Sequence, residues 1–99
     1  VNCIEKFINT GILNDSKEIY KEYEFIYNNG DRESHGIIDL LIIKRDKAII
    51  VDYKLKHTTD AAYLEQLRGY KNYILEMTNL PVQCYLYSIM DSNLVDLNI

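Results

Sequence analysis

Two aspartates and a lysine are the residues of this chain best placed by type and spacing to do chemistry. Asp39 interrupts the run from Gly36 to Lys44 (GIIDLLIIK), and Asp52 interrupts the run from Ala48 to Lys54 (AIIVDYK); both runs are otherwise almost wholly apolar. Such a run marks a strand covered on both faces. A carboxylate in its middle is costly unless it is paired or bound to a cation. Asp52 and Lys54 are two residues apart, so they project from one face of a strand, with Tyr53 on the other.

The register between the two runs follows from the connection. If Arg45-Asp46 is a two-residue turn, Lys44 faces Lys47 and Asp39 lies opposite Asp52, with Cβ atoms roughly 4.5–5.5 Å apart. A turn centred one residue later would set Asp39 across from Lys54. All three groups share a face in either case, and a three-residue loop would break the arrangement. Two carboxylates this close repel unless a cation lies between them. Mg²⁺ suits such a pair, because it takes oxygen ligands and completes its shell with water and substrate phosphate; Mn²⁺ is an alternative. Lys54 would steady an attacking water or the phosphate charge. That set is equipment for metal-assisted phosphodiester hydrolysis. The bland alternative is a structural Asp–Lys–Asp network.

The elements that must position these residues are legible in outline. Residues 2–13 have the apolar spacing of a short helix, and Tyr20 to Tyr27 alternates as a strand does. Asn28-Asn29-Gly30-Asp31 is a strong turn signal, and residues 28–35 are expected to form an exposed loop. The two apolar runs form an antiparallel hairpin. Thr58 or Thr59 is expected to cap a helix from Asp60 to Met77, with Tyr63, Leu67, Tyr70, Ile74 and Met77 as its buried stripe. Asn79 and Pro81 stop it. Val82 to Met90 and Leu94 to Ile99 complete the chain as strands. The order α, three strands, α, two strands predicts an α/β fold, a mixed central sheet of about five strands flanked by helices.

Composition narrows the class. The 99 residues suit one domain, and 47% hydrophobic with 26% charged is ordinary for a folded chain. The longest uncharged stretch, Met77 to Met90, is too short and too polar to span a bilayer, so no membrane role is expected. No signal peptide is visible, and a cytoplasmic location is expected. The chain begins with Val, which suggests a piece of a longer protein. A net charge of −4 means that any nucleic-acid binding must come from a local patch, a metal or other domains. The two cysteines, Cys3 and Cys84, are too few for a cluster or an all-cysteine zinc site, and are expected as reduced, buried thiols.

Three ordered motifs carry a resemblance. G-I-I-D (36–39), I-V-D-Y-K (50–54) and Y-L-E-Q-L-R-G-Y (63–70) together resemble the RecB/AddA-type nuclease domain of the PD-(D/E)XK superfamily, and K-E-Y-E-F (21–25) is similar to its preceding strand. The likeness covers about residues 20–75. It implies a restriction-endonuclease-like core, with Asp39 and Asp52 as metal ligands and Lys54 as the catalytic lysine. Gln66 and Tyr70 match the family's Q-x-x-x-Y helix motif, held close to the active site and the DNA; their bland alternative is a core tyrosine and a capping glutamine. The family often carries a further His, or elsewhere in the superfamily a Glu, on a helix well upstream, and the helix at 2–13 offers only Glu5. His35 is expected to be solvated, and His57 and Glu22 are marginal candidates, for phosphate contact and for orienting a ligand.

The function implied is a Mg²⁺-dependent, exonuclease-type DNA nuclease domain of a helicase–nuclease, acting on DNA ends in recombinational repair with other domains or subunits as partners. A stand-alone restriction or phage-type nuclease, or a non-catalytic module that binds DNA ends, are the alternatives.

Overall fold

The computed structural model of the protein describes residues 16–55 and 60–99. The chain runs β1 (Ser16–Asn29), β2 (Arg32–Lys44), β3 (Ala48–Lys54), α1 (Ala61–Thr78), β4 (Val82–Ser88) and β5 (Asn93–Asp96). The strands form one mixed sheet in the order β1-β2-β3-β4-β5. Among the described strands, β3 and β4 pair in parallel, joined through α1, and the other three pairings are antiparallel. The α/β class and the five-stranded mixed sheet are as expected. The helix expected at 2–13, with Glu5 and Cys3, lies outside the described residues, as do His57, Thr58 and Thr59.

The expected loop at 28–35 is instead the tip of a long hairpin. Asn29 pairs with Arg32, leaving Gly30-Asp31 as a two-residue turn. Gly30 takes φ +71°, a region that glycine enters without penalty. The polar residues of 33–35 belong to β2 because the ladder with β1 runs on to the turn; they are polar because one face of this arm meets solvent.

The helix begins one residue later than expected, and its cap differs. Asp60 has non-helical dihedrals and accepts a hydrogen bond from the Ala62 N–H at 2.9 Å. Asn79 closes the other end in a left-handed conformation, its N–H donating to the Leu75 carbonyl. Tyr63, Leu67, Tyr70 and Ile74 form the buried stripe, but Met77 is exposed: it lies in the final turn, where its Sδ accepts from the Tyr23 hydroxyl at 3.5 Å. β4 stops at Ser88, shorter than expected, because Ile89 to Ser92 turns the chain; β5 spans Asn93–Asp96, starting one residue early and ending three short of Ile99.

The apolar runs are buried on both faces. On the helix side, Leu41, Ala48, Ile50, Cys84 and Leu86 pack under the α1 stripe. On the other side, Leu40, Ile42, Ile49, Val51 and Tyr87 form a second cluster. Each such aliphatic side chain contributes about 1.5–3 kcal/mol. Cys84 is buried as a free thiol, and burial pushes its pKa up to about 11.

An aromatic cluster fastens the β1–β2 arm to α1. Phe25 stacks on Tyr73 with centroids 4.5 Å apart and meets Tyr70 edge-on at 5.2 Å. Gly36 is required beneath it, since a Cβ there would lie 2.6 Å from Phe25 and 2.9 Å from Tyr70.

Candidate active site

The turn between β2 and β3 sets the site. The Lys44 N–H donates to the Lys47 carbonyl at 2.8 Å, and Ile43↔Ala48 through Leu40↔Val51 pair in the register of a two-residue Arg45-Asp46 turn. That ladder ends at Leu40↔Val51, one step before Asp39 and Asp52. Beyond it a side chain replaces the backbone acceptor, and Asp39 Oδ2 accepts from the Tyr53 N–H at 2.8 Å.

A break in β1 and β2 accompanies this opening. Leu41 and Ile38 are three residues apart, yet both join the helix-side core, so the alternation of β2 fails between them. On β1 the Tyr20 and Tyr23 rings, also three apart, lie 5.6 Å from each other. The ladder pairs Lys21 with Leu40 and Tyr23 with Ile38 but skips Glu22 and Asp39. Glu22 sits there with φ +50°, a left-handed conformation that costs a non-glycine residue about 1–2 kcal/mol. Strain at Glu22 and the freeing of Asp39 are thus one feature, seen on two strands.

Asp52 projects from β3 on the helix face, its side chain only 15% exposed. Tyr63, from the first turns of α1, donates its hydroxyl to Asp52 Oδ2 at 2.8 Å. Lys54 Nζ lies 3.9 Å from the same oxygen and 5.0 Å from the centre of the Tyr63 ring. The Asp39 carboxyl stands within hydrogen-bonding reach of Asp52. Burial, then the hydrogen bond shared with Asp39, push the Asp52 carboxyl up to about 6, against the lowering effects of Tyr63 and Lys54. Burial and the Asp52 carboxylate hold the Tyr63 phenol well above its usual range, so it stays a donor.

The structure therefore brings Asp39, Asp52 and Lys54 together, and adds Tyr63, which the sequence marked as a stripe residue and as the first position of the Y-L-E-Q-L-R-G-Y motif, without a role in the site. Its early place in the helix, at the head of that motif, was the available signal. Gln66 and Tyr70 divide. Tyr70 is buried among Phe25 and Tyr27, its hydroxyl hydrogen-bonded with the Ile37 backbone; Gln66 is exposed. His35 is exposed and paired with Glu24 at 3.1 Å. At the end of β4, Ser88 pairs with Lys54 in the parallel ladder, is fully buried, and donates to Asp91 Oδ2 at 2.8 Å.

The donor set fits a divalent cation. Two adjacent carboxylates, one of them pushed up by burial and by the other, form a site where positive charge is favoured, and two carboxylates are what Mg²⁺ takes alongside water. Among the described residues, no group of three or more His, Cys, Asp or Glu side chains is placed to hold a metal. A separate groove of about 660 Å³ between the hairpin tip and α1 has Glu33, Glu65 and Glu76 against one Arg68, and does not include Asp39 or Asp52.

No family model matches the sequence, and no curated protein matches it. Among solved structures, the chain is similar to protein VC1899 from Vibrio cholerae at TM-score 0.60 and 16% identity, over 88% of this chain and 23% of that one. The likeness is one of fold, and the chain spans about a quarter of that protein's length. Among the described residues, no helix is long and apolar enough to cross a membrane.

Proposed function

We propose that this chain is a metal-dependent DNA nuclease domain of the RecB/AddA type, which hydrolyses phosphodiester bonds at the open end of its sheet, working with the other parts of a helicase–nuclease in DNA end processing. The observation that carries the reading is the meeting of Asp39 and Asp52 just past the last ladder pair, with Lys54 beside them. Nothing in the packing of β2 and β3 calls for two charges there, and apolar residues would cost less.

In this reading Asp39 and Asp52 hold Mg²⁺ or Mn²⁺. The bound ion supplies positive charge to the phosphate oxygens and a more acidic water. The Tyr63 hydroxyl fixes the Asp52 carboxylate, and the Tyr53 N–H fixes that of Asp39, so neither must reorganise as substrate enters. Lys54 Nζ donates to the attacking water or a phosphoryl oxygen. A bond forms from the water oxygen to phosphorus and one P–O ester bond breaks; the water loses a proton and the leaving oxygen gains one. Gln66, exposed one turn from Tyr63, is available to the DNA strand, while Tyr70 acts from within the core, two turns along the helix.

The test is cleavage of linear DNA by the intact protein with Mg²⁺ or Mn²⁺. Asp52→Ala and Lys54→Ala should each lower the rate about a hundred-fold or more, the scale of removing a preorganised charge from such a site, with circular dichroism unchanged. Calorimetric Mn²⁺ binding should be lost in Asp52→Ala and kept in Lys54→Ala. Equal rates in wild type and variants at matched folding would sink the assignment.

A further inference from the structure

An aspartate and a lysine two apart on one face of a strand ordinarily close on each other. The ammonium swings on a flexible four-carbon stem, and a direct N⁺–H···O⁻ bond settles at about 2.7–2.9 Å. Lys54 Nζ instead stands 3.9 Å from Asp52 Oδ2, an attraction without a direct bond. One side chain, Tyr63, touches both partners. Its hydroxyl donates to that same Oδ2 at 2.8 Å, and its ring lies beneath the ammonium, with 5.0 Å from Nζ to the ring centre.

Tyr63 is the fixed member of this trio. It belongs to the buried helix-side cluster with Ile50, Leu67, Cys84 and Leu86, whereas the Lys54 side chain is half-exposed. A close-packed side chain keeps its place, so the distance between the two charges is set by the core and not by the lysine. That distance matters to the site. A metal cation and an ammonium compete for one carboxylate, and the hold of the ammonium strengthens as its separation falls. An ammonium bonded directly to Asp52 would also commit its N–H donors there. Resting on the ring, it keeps them for a water or a phosphoryl oxygen.

We propose that Tyr63 is a spacer between the opposite charges of the site: its hydroxyl engages Asp52 Oδ2 and its ring carries the Lys54 ammonium, so that lysine and carboxylate do not collapse into a direct ion pair and Asp52 stays open to a divalent cation. The inference rests on the nuclease reading for the cation, and on the contacts of Tyr63 for the separation. Tyr63 is a positioning residue, acting through Asp52 and Lys54. Its two parts are separable by substitution. Tyr63→Phe keeps the ring and the packing but releases Oδ2, and the lysine then closes on the oxygen that the hydroxyl has left.

The experiment reads the separation and the cation independently, in the intact protein. Crystal structures of wild type and Tyr63→Phe in chelator give the Nζ–Oδ2 distance. Calorimetry with Mn²⁺ gives the affinity of wild type, Tyr63→Phe, Lys54→Ala and the double variant. In Tyr63→Phe the ammonium is expected to close to about 2.8 Å from Oδ2. Its Mn²⁺ affinity should fall about ten-fold, the low end for losing a group that orients a metal ligand. Lys54→Ala should stay within about three-fold of wild type, and the double variant within about three-fold of Lys54→Ala, because the loss needs the lysine. A hydroxyl that only orients Asp52 would give the same loss with or without Lys54. A loss that persists in the double variant, or an unchanged Nζ–Oδ2 distance, therefore overturns the spacer and leaves the nuclease reading standing. If Tyr63→Phe fails to fold, Lys54→Arg carries the test at a half-exposed position. Its longer planar fork reaches Oδ2 past the ring and should weaken Mn²⁺ binding about ten-fold, and unchanged affinity overturns the spacer. Closure of Lys54 on Asp52 in Tyr63→Phe, with no metal-dependent cleavage by wild type, overturns the nuclease reading and leaves the spacer.

Discussion

The same strands behave differently at their two ends. At the Arg45-Asp46 end, β2, β3 and β4 are fully laced: Lys44 bonds to Lys47, Ala48 bonds to the Pro81 carbonyl, and the side chains between are apolar and buried. At the other end β2 leaves β3, a carboxylate stands in for a ladder bond, and charged groups crowd into a half-buried space. The laced end has one low-energy arrangement and no chemical groups. The open end holds groups that would not choose each other in water. Such an arrangement survives only because it is a continuation of strands whose position is decided elsewhere.

Breaking the laced end should therefore cost most. Ile50→Ala removes a buried side chain from the helix-side core and is expected to destabilise the chain by about 2–5 kcal/mol in urea unfolding. A smaller loss would mean that the core there is loosely packed.

The strained end should respond less, and with mixed sign. Glu22→Val places a β-branched residue at φ +50° and is expected to cost about 1–2 kcal/mol, with Glu22→Gly near neutral because relief of strain offsets added freedom of the unfolded chain. Equal melting temperatures for the Val and Gly variants would show that the left-handed conformation is not what holds the kink. Asp39→Asn in chelator should raise stability by about 1 kcal/mol, the scale of a like-charge cross-strand pair, since the amide oxygen can still accept from the Tyr53 N–H. A lower melting temperature would contradict this.

The mildest probe is pH. Asp52 is held near 6 in the fold against 3.8 as the ordinary value, so the fold favours its protonated form. Its contribution is fully present below about pH 4 and is lost as pH rises through 6. In chelator, the melting temperature of wild type relative to Asp52→Asn should fall between about pH 4 and 7. A constant difference would show that Asp52 is not pushed up.

Much of this contrast is legible in the sequence. The turn at Arg45-Asp46 dictates the β2–β3 register, and apolar runs broken only by aspartates mark where the charges meet. The kink is not legible, because glutamate has no preference that announces a left-handed backbone. Nor is the Tyr53 N–H bond to Asp39, since a side chain replacing a ladder partner leaves no pattern in residue types. The polar stretch 33–35 reads as a loop because the arm's solvent-facing side is polar by exposure and not by lack of pairing. Asp60 reads as the helix's first residue behind a threonine cap, and the backbone makes it the cap itself. Gln66 and Tyr70 share a motif but not an environment.

The kink at Glu22 also bears on how the molecule keeps to itself. Among the described elements β1 is an outer strand of the sheet, fourteen residues long, with Ile19, Tyr20 and Ile26 exposed along it. A straight outer strand of that length is a template on which another chain can add and grow into a fibril. The left-handed residue in its middle interrupts the row of outward donors and acceptors, and Lys21, Glu22 and Glu24 set charge around the break. The bend that sends Asp39 toward Asp52 is in this way also a guard against self-assembly.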